Sequence, residues 1–306
     1  MQVSLVLKAE LPAHSAAVYC LETEREGNFF FAGGGDKCIT KWETASLQTP
    51  RLVARVESIV YCLSYFDEKK VLMAGDHSGY LYAFNLTENL MTHKFKLSEA
   101  PVFHIKRIPR YGYIAVSSGD GYLYILDDVD FKEISKLKLC ESKVRQTDLN
   151  EEQSVLAACC GDGTLKLIDL ATLTEKQSLQ AHTNSAYAVR FAENEMFSGG
   201  WDGHFNKYTF SFRWEMKSSL AAHNYAIYDI ALHPNLPVAV TASRDKSIKL
   251  WDSREFKIIT KLTNDNGGGH LHSVNALKWL SPSLLISGGD DRKIRLWNFN
   301  YLAKHV

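Results

Sequence analysis

Carboxylates are the side chains most regularly placed for chemistry in this chain. Asp36, Asp120, Asp162, Asp202, Asp245 and Asp291 recur at a nearly constant interval, with Ser78 at the same place in one copy. Each stands six residues before an apolar or aromatic residue: Trp42, Phe84, Leu126, Ile168, Tyr208, Trp251 or Trp297. Acid–base catalysis needs a few titratable groups in unlike environments converging on one cleft. A carboxylate repeated in like surroundings does one structural job many times, so these positions are assigned to turns. Thiols give the same answer. Cys20 and Cys62 hold one position in consecutive copies, and adjacent Cys159 and Cys160 point to opposite faces of a strand. None of the six cysteines shows a metal spacing or an obvious bridge partner, so reduced, buried thiols and a cytoplasmic location are expected. Gly33 to Gly35 and Gly267 to Gly269 resemble phosphate loops only superficially, because neither opens a helix. No catalytic residue, metal or cofactor is expected, and the chain reads as a non-enzyme.

The elements that carry these residues follow the same cadence. A strand-opening apolar residue returns at Val18, Val60, Val102, Val144, Ala186, Ile227 and Val274, in steps of 42, 42, 42, 42, 41 and 47 residues. Some copies are nearly literal: VYCL occurs at 18–21 and at 60–63, and GDGYL at 119–123 returns as GDGTL at 161–165. Self-similarity at this period means stacked units, none of which buries its apolar faces alone. Within a unit, apolar and polar residues alternate, as in SIKLW at 247–251 and KIRLW at 293–297. That is the strand period. Asp-Gly, Ser-Gly, Asp-Lys and Asp-Arg turns leave no room for long helices, so each unit reads as a small antiparallel sheet. The 306 residues would suggest two domains on length, but here the repeat count sets the size, and one domain over 1–306 is expected. No stretch approaches the roughly 18 apolar residues of a membrane-spanning helix. Lys plus Arg and Asp plus Glu are both 35, so no global field draws nucleic acid or an anionic membrane, and charge recognition must be local.

The segments RDKSIKLWD (244–252), DDRKIRLWN (290–298) and GDKCITKWE (35–43) resemble the turn and third strand of the WD-repeat β-propeller family. The likeness spans nearly the whole chain and implies an all-β, seven-bladed β-propeller of four-stranded antiparallel sheets, with blades beginning near residues 14, 56, 98, 140, 182, 223 and 270. It also implies a buried hydrogen-bonded set of His, Ser or Thr, Asp and Trp. That set is complete at His223, Thr241, Asp245 and Trp251, and again at His270, Ser287, Asp291 and Trp297. Because His270 belongs to it, the ligand-like spacing of His270 and His272 leaves one lone exposed His. The fifth unit has Tyr208 for Trp, and the first has Ala32 where the hydroxyl should be. Units two to four carry Val56, Ser98 and Cys140 in place of the His and should rely more on packing. Lengths predict how the last blade is completed. In the sixth unit a further strand follows six to eleven residues after Trp251, whereas the same offset from Trp297 falls at 303–308. The segment VSLVLKAEL at 3–11 is therefore expected as the outer strand of blade 7, and it is too short for a signal peptide and has no preceding basic residue.

What remains for function is a surface. The residues just after the strand-opening positions are Tyr19, Tyr61, Phe103, Arg145, Tyr187, Tyr228 and Asn275. In the family these residues, their neighbours such as Ile59, Pro101 and Lys143, and the residue before the turn Asp face the top mouth of the channel. The last class contributes His77, Trp201, Arg244 and Asp290 here. Aromatic and Arg side chains dominate binding hot spots, so Tyr19, Tyr61, Phe103, Arg145, Tyr187, Tyr228, Trp201 and Arg244 are the expected partner-binding residues. Packing between blades is the competing role for the same aromatics. Lys143, Arg145 and Arg244 against Asp290 favour an acidic or phosphorylated segment, unless Glu57, Glu99 and Glu141 cancel them. The expected function is a protein-interaction scaffold. An obligate subunit of a multiprotein complex is the alternative, and an enzyme using the channel mouth the second.

Overall fold

Alternating side chains and frequent Asp- and Gly-centred turns produce strands almost throughout. The computed structural model describes residues 2–47 and 49–302. They form seven four-stranded antiparallel sheets, the architecture of a seven-bladed β-propeller. Blade 1 is typical, with strands Val18–Thr23, Phe29–Gly34, Cys38–Glu43 and Arg51–Arg55. Blades 2 to 6 span 60–96, 102–138, 144–180, 186–221 and 227–262. The chain divides into two compact units. One combines the segment up to Val60 with that from Tyr228 onward, and the other is Tyr61–Ile227.

Burial differs by strand rather than simply alternating along it. The second strands Val155–Cys160, Val238–Ser243 and Leu284–Gly289 are buried at every position, because both faces of the sheet are covered. The outer strand Leu90–Lys96 is almost wholly exposed. Between blades of one unit, a branched strand-opening residue rests on a small residue of the preceding blade. A Cβ on Gly75 would lie 2.4 Å from Val102 Cγ1, and one on Gly288 would lie 2.7 Å from Val18 Cγ1. Val18 and Val102 are fully buried. Hydrogen bonds add to this packing: Asp148 accepts from the backbone of Phe191 at 2.9 Å, and Asp229 from that of Leu277 at 2.9 Å.

Blade 7 consists of Val274–Ser281, Leu284–Gly289, Lys293–Leu302 and the N-terminal strand Gln2–Pro12. The N-terminal strand pairs from Val3↔Tyr301 to Leu11↔Ile294, and Val3 and Leu5 pack with Trp297 and Phe299. Glu10 adds ion pairs to Lys293 and, at 2.6 Å, to buried Arg295. The sequence expectation for residues 303–306 lies outside the described residues.

The polar set of blade 7 works as a relay. Trp297 Nε1 donates to Ser287 Oγ at 2.9 Å, Ser287 Oγ lies 2.8 Å from His270 Nε2, and His270 Nδ1 lies 2.8 Å from Asp291. Indole only donates and carboxylate only accepts, so the direction runs from Trp to Asp through a neutral imidazole. Burial pushes the His270 pKa down, outweighing the carboxylate of Asp291, and so favours that neutral form. In blade 6, Trp251 Nε1 donates to Thr241 Oγ1 at 2.9 Å, and Asp245 accepts from the Ser247 backbone at 3.0 Å. His223 is buried. Blade 5 uses Tyr208, whose hydroxyl is 3.1 Å from Ser198 Oγ, with His182 2.8 Å from Ser198 and 2.9 Å from Asp202.

Two expectations need correction. Blade 1 does not lack the hydroxyl, because Thr40 pairs across strands with Ala32 and supplies it. Its Oγ1 accepts from Trp42 at 3.1 Å and lies 3.2 Å from His14 Nε2. In blade 2 the turn is held not by Ser78 but by fully buried Asp76. Asp76 accepts from the backbones of Ser78 and Tyr80 and from the Tyr82 hydroxyl, at 2.9, 2.9 and 3.0 Å. The Tyr124 hydroxyl donates to Asp120 at 2.7 Å in blade 3, so a Tyr–Asp bond replaces the Trp relay in both.

Two outcomes follow. Asp76→Ala should lose on the order of 1 to 3 kcal/mol by stranding buried donors, and Ser78→Ala much less, as read by chemical denaturation. Removal of residues 1–12 should expose the apolar flank of Lys293–Leu302 and abolish cooperative melting or cause aggregation in calorimetry and light scattering.

Candidate interaction surface

In blades 1, 3, 4, 5 and 7 the residue after the strand-opening position is aimed by a β-bulge. In blade 1, Val18 pairs with Gly34 and Cys20 with Gly33, so Tyr19 is the extra residue. The same offset falls at Phe103, Tyr187 and Asn275, and across Arg145 and Gln146. A bulged residue leaves the ladder and its side chain is re-aimed, which is how these side chains come to flank the strand ends instead of entering a core.

In the unit Tyr61–Ile227 the residues after the strand-opening positions of four consecutive blades stack on one another. Tyr61 lies 5.5 Å from Phe103 between ring centroids and 5.7 Å edge-on from His77. The Arg145 guanidinium sits between two rings, 4.5 Å from the centroid of Phe103 and 4.5 Å from that of Tyr187. Tyr187 stacks on Trp201 at 6.3 Å. Guanidinium over aromatic faces is attracted by the ring quadrupoles. Behind it, the Ser117 hydroxyl donates to the Arg145 carbonyl. Tyr61, Phe103, Arg145 and Tyr187 are half-buried, while Trp201 keeps 44% of its surface exposed. They therefore pack against each other and still present an edge to solvent.

The charge of this face is local. Arg145 lowers the pKa of Lys143, with burial adding to the effect, which places the two cations side by side. Burial raises the Tyr61 hydroxyl, against a lowering by Arg145. Two of the acids that could cancel these cations are engaged elsewhere: Glu99 pairs with Lys96, and Glu141 with Lys138 at 3.3 Å.

The remaining expected partner-binding residues lie in the other unit. Tyr19 is half-buried beside Gly35, Tyr228 is half-buried, and Arg244 is exposed. There the Asn275 amide donates to Val18 O at 3.0 Å and to Asp290 at 2.7 Å, so that acid is held by an amide. Sequence reasoning singled out these side chains but missed the bulge that aims them. His272 is exposed, and no three His, Cys, Asp or Glu side chains among the described residues are grouped to hold a metal. Nor is any helix among them long and apolar enough to cross a membrane.

The family model for the WD domain, G-beta repeat, matches residues 5–43, 214–252 and 260–298. Those three segments carry WD repeats. Each matched span begins on the outer strand of one blade and ends on the third strand of the next, so the sequence repeat is offset from the sheet. The WD40 β-propeller domain of Doa1 superposes with a TM-score of 0.85 over 97% of both chains at 14% identity, a likeness of fold. Among curated proteins, the chain is 31% identical over 128 residues to a ribosome biogenesis protein WDR12 homolog of Chlamydomonas reinhardtii, covering 39% of this chain and 28% of that protein. It is 29% identical over 87 residues to the probable cytosolic iron-sulfur protein assembly protein 1 of Yarrowia lipolytica, covering 27% and 25%. With bovine Striatin-3 it shares 36% identity over 88 residues, covering 28% and 10%. The matches thus span about a quarter or less of these relatives.

Trp201 rides on the turn of Asp202, which ties the surface to pH. Burial alone would raise the Asp202 carboxyl, but His182 and the backbone amides of Thr183 and His204 bring it from 3.8 to about 2. A carboxyl lowered by folding stabilises fully above 3.8 and loses that contribution as pH falls through about 2. Wild-type stability should therefore fall over that window, and less steeply in Asp202→Asn, in denaturation series at fixed pH. Tyr187→Ala should cost less than the roughly 3 to 5 kcal/mol of a core aromatic, because its ring keeps a solvent edge.

Proposed function

We propose that this WD-repeat propeller is a non-enzymatic interaction scaffold whose stacked face on blades 2 to 5 receives an acidic or phosphorylated peptide segment. The observation that carries this reading is Arg145, clamped between Phe103 and Tyr187 at 4.5 Å from each ring and neighboured by Lys143. A guanidinium fixed in this way loses little freedom when it binds a carboxylate or phosphate, and its fork matches their oxygens. Tyr61, Tyr187 and Trp201 supply rigid amphipathic surface around it, the composition of a binding hot spot. With 35 basic and 35 acidic residues, selectivity for anionic peptide rests on this patch, and duplex nucleic acid or an anionic membrane finds no extended basic field. A cytoplasmic setting suits the six buried, free cysteines.

Membership of a larger complex is a second reading with its own support. Leu90 and Met91 on the outer strand of blade 2, and Val129 and Ile134 beside that of blade 3, are exposed. Apolar side chains clustered on an outer edge suit a permanent neighbour. The matched relatives are named for ribosome biogenesis and iron-sulfur protein assembly, roles that suit a subunit as well as a scaffold.

Arrays of phosphoserine and phosphothreonine peptides, each with its unphosphorylated counterpart, test the first reading. Wild type should prefer the phosphorylated or acidic members, and Arg145→Glu should weaken them about tenfold to a hundredfold, the range expected for charge-assisted hydrogen bonds. The variant should stay folded, with a modestly lowered melting temperature from the lost ring contacts. Identical array profiles for wild type and folded Arg145→Glu would refute it.

A further inference from the structure

Blade 4 carries a pair of thiols that the spacing of the cysteines does not reveal. Cys140 stands in the turn before the first strand, the place where blades 1, 5 and 7 put His14, His182 and His270. Cys160 ends the second strand, Val155–Cys160, and pairs with Val144. The turn folds back over that strand end: the Gly161 backbone donates to Lys143 O at 2.7 Å, and Cys140 Sγ donates to the same carbonyl at 3.6 Å. Forty-two residues earlier the equivalent side chains are Ser98 and Ser118, whose hydroxyl oxygens are 2.9 Å apart. In blade 4 sulfur replaces both oxygens at the corresponding places, and the two thiols shift each other's ionisation. Both are buried in one apolar cluster, whereas adjacent Cys159 belongs to the cluster on the opposite face of the strand.

The pair is chemically unequal. The Cys160 thiol lowers the Cys140 pKa, with the Ser142 and Gly161 backbones helping against burial and Asp162. The Cys140 thiol in turn, then burial, raises that of Cys160. The thiolate is the nucleophile in sulfur oxidation, so Cys140 is the attacking sulfur and Cys160 the resolving one.

We propose that Cys140 and Cys160 form a reversible redox site that a hydroperoxide converts into an intramolecular disulfide. Cys140 sulfur attacks one peroxide oxygen, the O–O bond breaks, and the departing hydroxide takes the thiol proton to leave as water. Cys140 is then a sulfenic acid. Cys160 sulfur attacks that sulfur, the S–O bond breaks, and hydroxide leaves with the Cys160 proton as a second water. The two sulfurs together lose two electrons to one peroxide, and a dithiol reductant reverses the change. The site lies beside the turn that presents Lys143, at the end of the apolar cluster packed between blades 3 and 4.

Mass spectrometry of the full chain tests this. Native protein is treated with hydrogen peroxide, remaining thiols are alkylated after denaturation, and the chain is cut with trypsin. Peptide 139–143 should be found linked to peptide 146–166, with the intact mass lower by two hydrogens and restored by dithiothreitol. The link should persist in Cys159→Ala and vanish in Cys140→Ser and Cys160→Ser. Exposed Met91 serves as an internal gauge of oxidant dose. Absence of the link in wild type at doses that already convert Met91 to its sulfoxide would overturn the proposal, whatever the variants do. A link that survives in Cys160→Ser through Cys159, or that joins two chains on a non-reducing gel, would overturn it too.

Discussion

A four-stranded sheet with two apolar faces cannot stand alone in water, and most features of this chain answer that constraint. Fully buried second strands such as Val238–Ser243 and Leu284–Gly289 leave no face to solvent. They are stable only because the next sheet approaches closely, and close approach demands that one side of the contact be small. Hence Gly75 receives Val102, and Gly288 receives Val18. The cadence of branched residues that reveals the repeat is thus a packing rule. The strand Gln2–Pro12 answers the same constraint in blade 7, where it covers Lys293–Leu302 and buries Val3 and Leu5.

Polar groups inside such sheets must be paired, and the blades reach that end by different means. Blade 7 uses the full Trp–Ser–His–Asp relay. Blade 1 moves its hydroxyl one strand over to Thr40, and blade 5 ends the relay on a tyrosine. Blades 2 and 3 dispense with the histidine and close the turn by a Tyr–Asp bond. What is kept is a donor directed at a carboxylate that also accepts from the turn backbone. Leaving such a donor unmet in a buried turn costs more than the bond itself contributes.

Local spacing made much of this legible and cross-strand geometry hid the rest. The strand-opening residues, the turn aspartates and the role of Val3 to Leu11 could be read because each depends on residues near in sequence or on a fixed repeat offset. Thr40 was missed because Ala32 and Thr40 meet only through strand register. Asp76 was missed because it sits two places before the cadence position held by Ser78, though its buried carboxylate reaches the same backbone amides. Aromatic enrichment after the strand-opening positions drew attention to these side chains. The bulges that turn those side chains outward leave no mark in composition, since Tyr19 and Tyr187 would suit an ordinary strand equally well.

Three of the four blades that carry the stack lack the His relay, and blade 5, which has it, contributes Tyr187 and Trp201. Tyr61, Phe103 and Arg145 belong to the three blades whose histidine position holds Val56, Ser98 and Cys140. In blades 5 and 7 the imidazole pins the strand-opening turn to the turn aspartate, as His182 does for Asp202. Without that pin, other contacts must order the strand ends, and a run of rings with a guanidinium between them does so from the outside. Tyr61 on Phe103, and Arg145 between Phe103 and Tyr187, join neighbouring blades at the rim rather than through their cores. An interaction at the rim has one side open to solvent, so the groups that order these turns stay half-buried. In blades 2 to 4 the turn thus lacks the imidazole lock, and a half-buried ring or guanidinium stands at the rim instead.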